Sequence, residues 1–331
     1  ASAGSSQMGG NIGTNAGGIK VIRYGMTRQW IMGLTVVTGK GDILQLNRGM
    51  VKNATGYDLR QLFIGSEGTL GFVTHAQIKL ERQPQDLNVM VLGMDSFSDV
   101  MNVLSAFQAK IDLTAFEFFD DVAIDKLMAH GQVQEPFESR TKFYTLLEFE
   151  APYEPIMDKA MAIFEDCMEQ GWVVDGVMSQ SLAQAEELWK LREYISETIS
   201  VFTPYKNDVS VLISYVPEFI TEIDQIVSSN YPDFEVCWFG HIGDGNLHLN
   251  ILKPENMSKD DFFSECQIVN KYVFETVQKY GGSVSAEHGV GMTKKPYLNY
   301  SRSETEIEYL REIKKVFDPN NIMNRGKIFD M

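Results

Sequence analysis

Apolar positions along the 331-residue chain recur with two periods, and the change of period marks out its elements. Short runs rich in β-branched and aromatic residues predict strands. They cover 31–38 and 43–46, joined by the turn Gly39-Lys40-Gly41-Asp42, and then 87–94, 142–149, 172–178, 209–215, 234–239 and 247–252. Apolar residues three and four apart predict amphipathic helices over 155–170, 182–200, 217–229, 260–280 and 304–317. Ser303 followed by Glu306 is a capping-box signature for the last of these. Alternation at these intervals predicts an α+β class, a sheet covered by helices on one face. The first quarter reads differently. Fifteen of the 27 glycines fall in residues 1–75, which predicts a hairpin-rich segment with backbone-lined loops, ending at the linker Arg82-Gln83-Pro84-Gln85.

Composition narrows the class. With 44% hydrophobic and 22% charged residues the chain is globular, which excludes disordered, collagenous and coiled-coil classes. A formal net charge of −16 argues against a nucleic-acid surface or a broad anionic-membrane footprint. The charge is uneven: residues 1–83 carry nine Lys+Arg against four Asp+Glu, and the remainder 20 against 41, so +5 is followed by −21. Cys167, Cys237 and Cys266 show no CxxC spacing, so neither a disulfide framework nor a thiolate metal site is expected, and a reducing, cytoplasmic compartment fits. No apolar run approaches the roughly 20 residues that span a bilayer. The chain starts at Ala1 and runs at once into glycine, as a fragment with an upstream part missing would.

Several clusters carry candidate chemistry. Gly9-Gly10-Asn11-Ile12-Gly13-Thr14-Asn15-Ala16-Gly17-Gly18 can bring backbone N–H groups close to phosphate, because no Cβ blocks the approach. It is neither the GxGxxG fingerprint nor a Walker loop, and a simple tight-turn region remains the other reading. In His241-Ile242-Gly243-Asp244-Gly245-Asn246-Leu247-His248 a turn between two strand-like pieces lets both histidines converge on one point. Ser285-Ala286-Glu287-His288-Gly289-Val290-Gly291 sets a carboxylate beside an imidazole in a flexible loop. Two His and one Glu suit Zn²⁺ or a similar divalent ion with open positions. Arg192 and Ser196 lie one helical turn apart and Lys206 follows before a strand, a set able to bind an anion. Taken alone, Arg192 and Lys206 read as surface charges. The segment 317–327, with its Asp-Pro and Arg-Gly turns, reads as a tail.

The run from Gly56 to Thr74, containing Gly65-Ser66-Glu67-Gly68-Thr69-Leu70-Gly71, joins the first loop and Arg23-Tyr24-Gly25 in a specific pattern. It resembles the flavin-binding domain of the vanillyl-alcohol-oxidase (VAO/PCMH) type, in the branch of FAD-linked D-2-hydroxy acid dehydrogenases acting on D-lactate or D-2-hydroxyglutarate. The resemblance implies that 1–83 is the C-terminal part of an FAD-binding domain, 84–316 a substrate domain with an antiparallel sheet covered by helices, and 317–331 a tail returning to the flavin domain. It implies FAD contacts from Gly9, Gly10, Asn11, Gly13, Thr14, Asn15, Gly17, Gly18 and Gly25, from Glu67, Gly68 and Val73 toward ribose and adenine, and from Asn324 near the ring. The family's earlier subdomain with its own phosphate loop is not in this sequence, so FAD is implied for the complete protein.

The same resemblance implies a divalent metal, Zn²⁺ first, on His241, His248 and Glu287, and a small anionic substrate held by Arg192, Ser196, Lys206 and Asn250. His288 would take the hydroxyl proton as hydride passes from C2 to flavin N5 and a 2-oxo acid forms. Ser196 stands where some hydroxyglutarate-oxidising members have Thr, which keeps the hydroxyl. Asn324-Arg325-Gly326-Lys327 stands where the family has Asn-Pro-Gly-Lys. The electrons would pass to an electron-transfer flavoprotein, a quinone or a cytochrome, and a homodimer and a membrane-peripheral location are compatible with such relatives. Two rival readings stay open at this point, a metal-dependent hydrolase without flavin and an inactive fragment of the flavoenzyme.

Overall fold

The structure is a computed structural model that describes residues 4–131 and 133–331. The chain divides into two compact units, each built on its own sheet. One holds residues 83–282 with the short segment 19–24; the other holds 4–18, 25–82 and 283–331. The first division falls at the expected linker. The second falls between Gly282 and Ser283, ahead of the expected tail at 317, so the loop carrying Glu287 and His288 groups with the glycine-rich quarter.

In the three-stranded unit, β1 (Ile31–Thr38), β2 (Ile43–Leu46) and β3 (Gly71–Ile78) form an antiparallel sheet of order β2-β1-β3. The register Leu34↔Leu46 and Val37↔Ile43 closes the hairpin that the glycine turn predicts. Ile31, Leu34 and Val36 turn their side chains onto Ile12, Phe63, Ile64 and Leu70, and Ile313 and Phe317 of the helix Glu304–Phe317 pack against this core. The capping box is present as expected. The pattern of apolar residues does not mark β3, whose Phe72, Thr74 and His75 are exposed and give it no clean alternation.

The seven-stranded unit contains β4 (Leu87–Met94), β5 (Leu113–Asp120), β6 (Phe143–Glu150), β7 (Asp175–Met178), β8 (Tyr205–Ser210), β9 (Glu235–His241) and β10 (Asn246–Leu252). They pair antiparallel in the order β7-β4-β6-β5-β9-β10-β8. Helices cover both faces rather than the single face expected. On one, Asp121–His130 and Leu182–Glu193 bury Ile124, Leu127, Ala185 and Leu191 against Val91, Phe119, Leu146 and Phe239. On the other, Phe97 of the helix Phe97–Gln108 meets Phe118 and Phe143 edge to face, and Trp238 donates to Asp224 of the helix Val216–Asn230. Double coverage explains why β5 and β6 are buried almost end to end, without the alternation of a half-exposed strand. It also hides β5 and its two flanking helices from the sequence pattern.

Other elements shift from expectation. The helix expected over 182–200 breaks at Tyr194 into Leu182–Glu193, Ile195–Thr198 and a 3₁₀ turn Ile199–Phe202, ended by Thr203 at φ 50°. The strand expected over 209–215 instead occupies Tyr205–Ser210. The glycines predict an open loop over Gly9 to Thr14, yet these residues lie in the short helix Met8–Thr14. Burial of Ile12 anchors that helix, and Asn15 ends it at φ 52°, its N–H bonded to Asn11 and Ile12 carbonyls. Among the described residues no helix is long and apolar enough to cross a membrane.

Candidate functional site

Register builds the site in the seven-stranded unit. Paired residues share a sheet face, and the pairs Phe119↔Phe239, His241↔Asn246, His248↔Phe239 and His248↔Asp208 set Glu117, His241, His248, Asn246 and Asp208 on one face. The turn between β9 and β10 does what its sequence predicts. Gly245 sits at φ +79°, where a Cβ would come within 2.2 Å of the Val211 carbonyl oxygen, so only glycine turns the chain this tightly here.

The two imidazoles meet at that end of the sheet, their rings 5.2 Å apart and Nε2 3.4 Å from Nε2. Each ring has a carboxylate on its other side. Nδ1 of His241 lies 2.8 and 2.7 Å from the two oxygens of Glu117. Nδ1 of His248 lies 3.6 Å from Asp208, which accepts a 2.8 Å bond from the Asn246 amide. A carboxylate at Nδ1 favours the proton there and leaves Nε2 as a lone-pair donor. Two Nε2 atoms aimed together form a donor set that could hold a metal ion. Glu117 is 1% exposed and His241 6%, so the pair is held in a medium where the bonds are strong.

The cationic residues flank it. Arg192 is buried, its Nε 2.9 Å from Glu117 and its guanidinium 4.7 Å from the centroid of the Phe239 ring. One carboxylate therefore serves both His241 and Arg192. Lys206 donates to Ser196 Oγ at 3.1 Å, and desolvation holds its ammonium below the ordinary lysine pKa. Asn250 spends its amide N–H groups on the carbonyls of Cys237 and His248, so it braces the sheet at the position expected to touch substrate. A second buried acid, Glu148, gathers Lys20, Thr114 and the Trp189 indole, whose N–H donates at 2.9 Å; a β-bulge between Leu113 and Ala115 marks the strand at Thr114.

The three-stranded unit carries the remaining candidates. Glu67, at φ 52°, accepts from the amides of Val290 and Gly291 at 2.6 and 2.8 Å, and Ser285 Oγ donates to the Gly289 carbonyl at 2.6 Å. The carboxylate expected to face a ribose thus fastens the loop that bears Glu287 and His288. Asn324 donates to the backbone carbonyl of Glu67, beside Gly68. Val73 lies within β3 opposite Val36. Asn15 accepts from the Arg28 amide at 2.9 Å, while Glu67 N–H donates to the Gly13 carbonyl at 2.7 Å. Gly9, Gly10 and Gly18 have no positive φ, and a Cβ at any of them would meet nothing within 4 Å, so nothing in the unit itself requires glycine there. Gly25 does have φ +71° and serves the chain path. Gly17 follows the helix in the stretch 16–18, which has no regular structure.

Sequence reasoning missed Glu117, Asp208 and Glu148. For Glu117 and Glu148 the one signal is a carboxylate inside an apolar strand, as in Leu113-Thr114-Ala115-Phe116-Glu117-Phe118-Phe119, which a solvated residue would not need; Asp208, in the polar run Lys206-Asn207-Asp208, carries no such signal.

Residues 83–328 match the family described as FAD linked oxidases, C-terminal domain, and residues 1–47 match an FAD binding domain. The chain is 68% identical over 329 residues to a D-2-hydroxyglutarate dehydrogenase of Stutzerimonas stutzeri, covering 99% of this chain and 71% of that protein. It is 53% identical to a D-2-hydroxyglutarate dehydrogenase of Xanthomonas citri pv. viticola, covering 100% of this chain and 70% of that one. The fold is similar to that of 4-ethylphenol oxidase from Gulosibacter chungangensis, with a TM-score of 0.67 at 15% identity over 98% of this chain and 70% of the other.

Proposed function

Because the chain belongs to the FAD-linked oxidase family, in its D-2-hydroxyglutarate dehydrogenase branch, we propose that it oxidises D-2-hydroxyglutarate at a metal-assisted site as part of a longer FAD-dependent enzyme. Membership in a family of FAD-linked oxidoreductases removes the flavin-free hydrolase reading. The observation that carries the proposal is the pair of Nε2 atoms 3.4 Å apart, each imidazole backed by a carboxylate. That donor set fits a divalent ion, Zn²⁺ by its nitrogen ligands, with Glu287 as the third ligand. The glycines at 9, 10 and 18, which the fold itself does not require, fit the close approach of FAD.

When bound, FAD supplies the two-electron acceptor and the ion supplies a Lewis acid for the C2 hydroxyl. The protein's own residues do the rest. Arg192, Ser196 and Lys206 grip the substrate's carboxylates, a planar fork suiting one and an ammonium with its hydroxyl partner the other. His288 takes the proton from the C2 hydroxyl. Burial around Glu117 and His241 keeps the ligand pair dry and oriented before substrate arrives. An electron-transfer flavoprotein, a quinone or a cytochrome then receives the electrons.

The test uses the full-length flavoprotein under anaerobic conditions, mixed with the D and L forms of 2-hydroxyglutarate and lactate. D-2-hydroxyglutarate bleaches the flavin fastest, chelation slows the bleaching, and added Zn²⁺ restores it. Failure of every D-2-hydroxy acid to reduce the flavin would sink the reading. In His288→Ala the rate falls about 10²–10⁴-fold, the usual range for a lost general base, with flavin content retained.

A further inference from the structure

We infer that Glu117 is a positioning residue that sets the metal-binding tautomer of His241 and is at the same time the countercharge of Arg192. The inference rests on the metal reading given above and extends it from the ligands to the residue behind one of them. Three observations converge. Glu117 is 1% exposed on β5, the strand that pairs with β9, so its carboxylate is delivered to the ring by sheet register rather than by a flexible loop. Both its oxygens lie within 2.8 Å of His241 Nδ1. One of them also lies 2.9 Å from Arg192 Nε.

The chemistry follows from what the neighbours are. Neutral imidazole exists in two tautomers, and only the one protonated at Nδ1 presents a lone pair at Nε2. A carboxylate cannot donate, so it selects that tautomer. The same negative charge stands between a guanidinium and the proposed seat of a dication, two cations that would otherwise repel across a buried region. The Phe239 ring, 4.7 Å from the guanidinium carbon, holds Arg192 from another side. Asp208 stands by His248 in a looser version of the same arrangement, at 3.6 Å, which leaves Glu117 the tighter of the two.

Two measurements on the full-length protein test this, with Glu117→Gln as the main variant and Glu117→Asp as the second. Gln keeps the volume but brings an amide N–H that competes for the Nδ1 side; Asp keeps the charge but withdraws it by one methylene. First, in metal-stripped protein with ¹⁵N-labelled histidine, His241 is a single Nδ1–H tautomer in the wild type and a mixture in Glu117→Gln. Second, Zn²⁺ alone, titrated against a chromophoric chelator, binds about 10–100-fold more weakly to Glu117→Gln, the range seen when such outer partners of a metal-bound histidine are removed. Glu117→Asp shows smaller losses of both kinds, and it is read by the same two measurements if Glu117→Gln does not fold. A wild-type tautomer retained in the folded variants overturns the inference. So does Zn²⁺ affinity equal to wild type. If the wild type itself binds no Zn²⁺, the metal reading fails instead, and the tautomer measurement still decides the role of Glu117.

Discussion

The two units hold their functional side chains by different means. In the seven-stranded unit, Glu117, His241, His248 and Asp208 are set on one face by ladder register and by helices packed on both sides of the sheet. In the three-stranded unit the candidates sit on loops, and buried or half-buried polar side chains tie those loops to backbone groups. Arg28 donates to the carbonyls of Gln61 and Ile64, Glu67 receives two amides, and Lys314 donates to the carbonyls of Thr69 and Met323. A ladder spreads its load over many equivalent bonds. A clamp concentrates it in one side chain, so single polar substitutions are more damaging in the second unit than in the first.

The largest expected effect is at Lys314. It is 3% exposed and pairs at 2.8 Å with Asp318, which is fully buried and also accepts from the amides of Ile322 and Met323. Lys314→Met leaves a buried carboxylate without its cation, and such a break costs about 3–5 kcal/mol. The matched change in the seven-stranded unit is Asp224→Asn, which weakens one bond from the Trp238 indole and costs about 1 kcal/mol. Urea denaturation of both variants orders them, and an equal loss would break the comparison. Acid sharpens it. Burial opposes ionisation of Asp318, yet the Lys314 ammonium and the two amides outweigh it and hold the carboxyl below its ordinary value. A depressed carboxyl stabilises above its unfolded pKa, about 3.9, and that contribution is lost as pH falls through the lower folded value. Asp318→Asn lacks that acid limb.

Next comes Glu67. Hydrogen bonds to a charged group contribute about 1.5–3 kcal/mol, and glutamine keeps only one acceptor oxygen for two donors. In Glu67→Gln the amides of Val290 and Gly291 exchange roughly ten- to a hundredfold faster, while those of β9 and β10 do not change. Exchange that stays slow at both amides would mean that the loop is held by something other than this clamp.

This contrast also explains what the sequence discloses. The hairpin β1–β2, the capping box at Ser303 and the fold-back that brings His241 to His248 are local, each written in a few consecutive residues. The histidine pair is therefore legible from spacing. Glu117 is not, because its partners lie 75 and 124 residues away and its strand is covered on both faces, which erases the alternation that reveals β-structure. Glu67 fails for a related reason. Its glycine-flanked motif is read as a ribose contact only through the family resemblance, and the amides that hold it lie 223 and 224 residues further on. Glu148 has its three partners on three separate segments.

A smaller effect is expected at Lys206, in the register-built half. Desolvation lowers its pKa, so it loses its proton below the ordinary lysine value of about 10.4. If the ammonium grips a substrate carboxylate, KM rises with pH through that lowered value while kcat changes less. Lys206→Arg keeps its charge across the range and removes the alkaline limb. A wild-type KM that stays flat up to the ordinary lysine range, about 10.4, would take Lys206 out of the substrate site.

The smallest effect is at the helix cap, where the two units can be compared like for like. Ser303 accepts from Glu306 N–H at 3.2 Å and the Glu306 carboxylate accepts from Ser303 N–H at 2.9 Å, closing a reciprocal box. Ser258, at the start of the 21-residue helix Lys259–Lys279, accepts from Asp261 N–H at 3.2 Å and donates its hydroxyl to the Asp261 carboxylate at 2.7 Å, a pair of bonds that both run through the serine oxygen. Removing either serine costs about 1 kcal/mol. Fraying at Ser258 stays local on a long helix buried along one side, whereas the 14-residue helix Glu304–Phe317 carries Lys314 in its last turn. Ser303→Ala therefore lowers the urea midpoint more than Ser258→Ala does. The acid side carries the same sign: the Ser303 amide holds Glu306 below its ordinary pKa, so the box contributes above that range and fades as pH falls through the lowered value. If the two serine variants are equally stable at neutral pH and respond alike to acid, the clamp-built unit is no more sensitive than the ladder-built one at its helix ends, and its sensitivity is confined to the buried polar residues themselves.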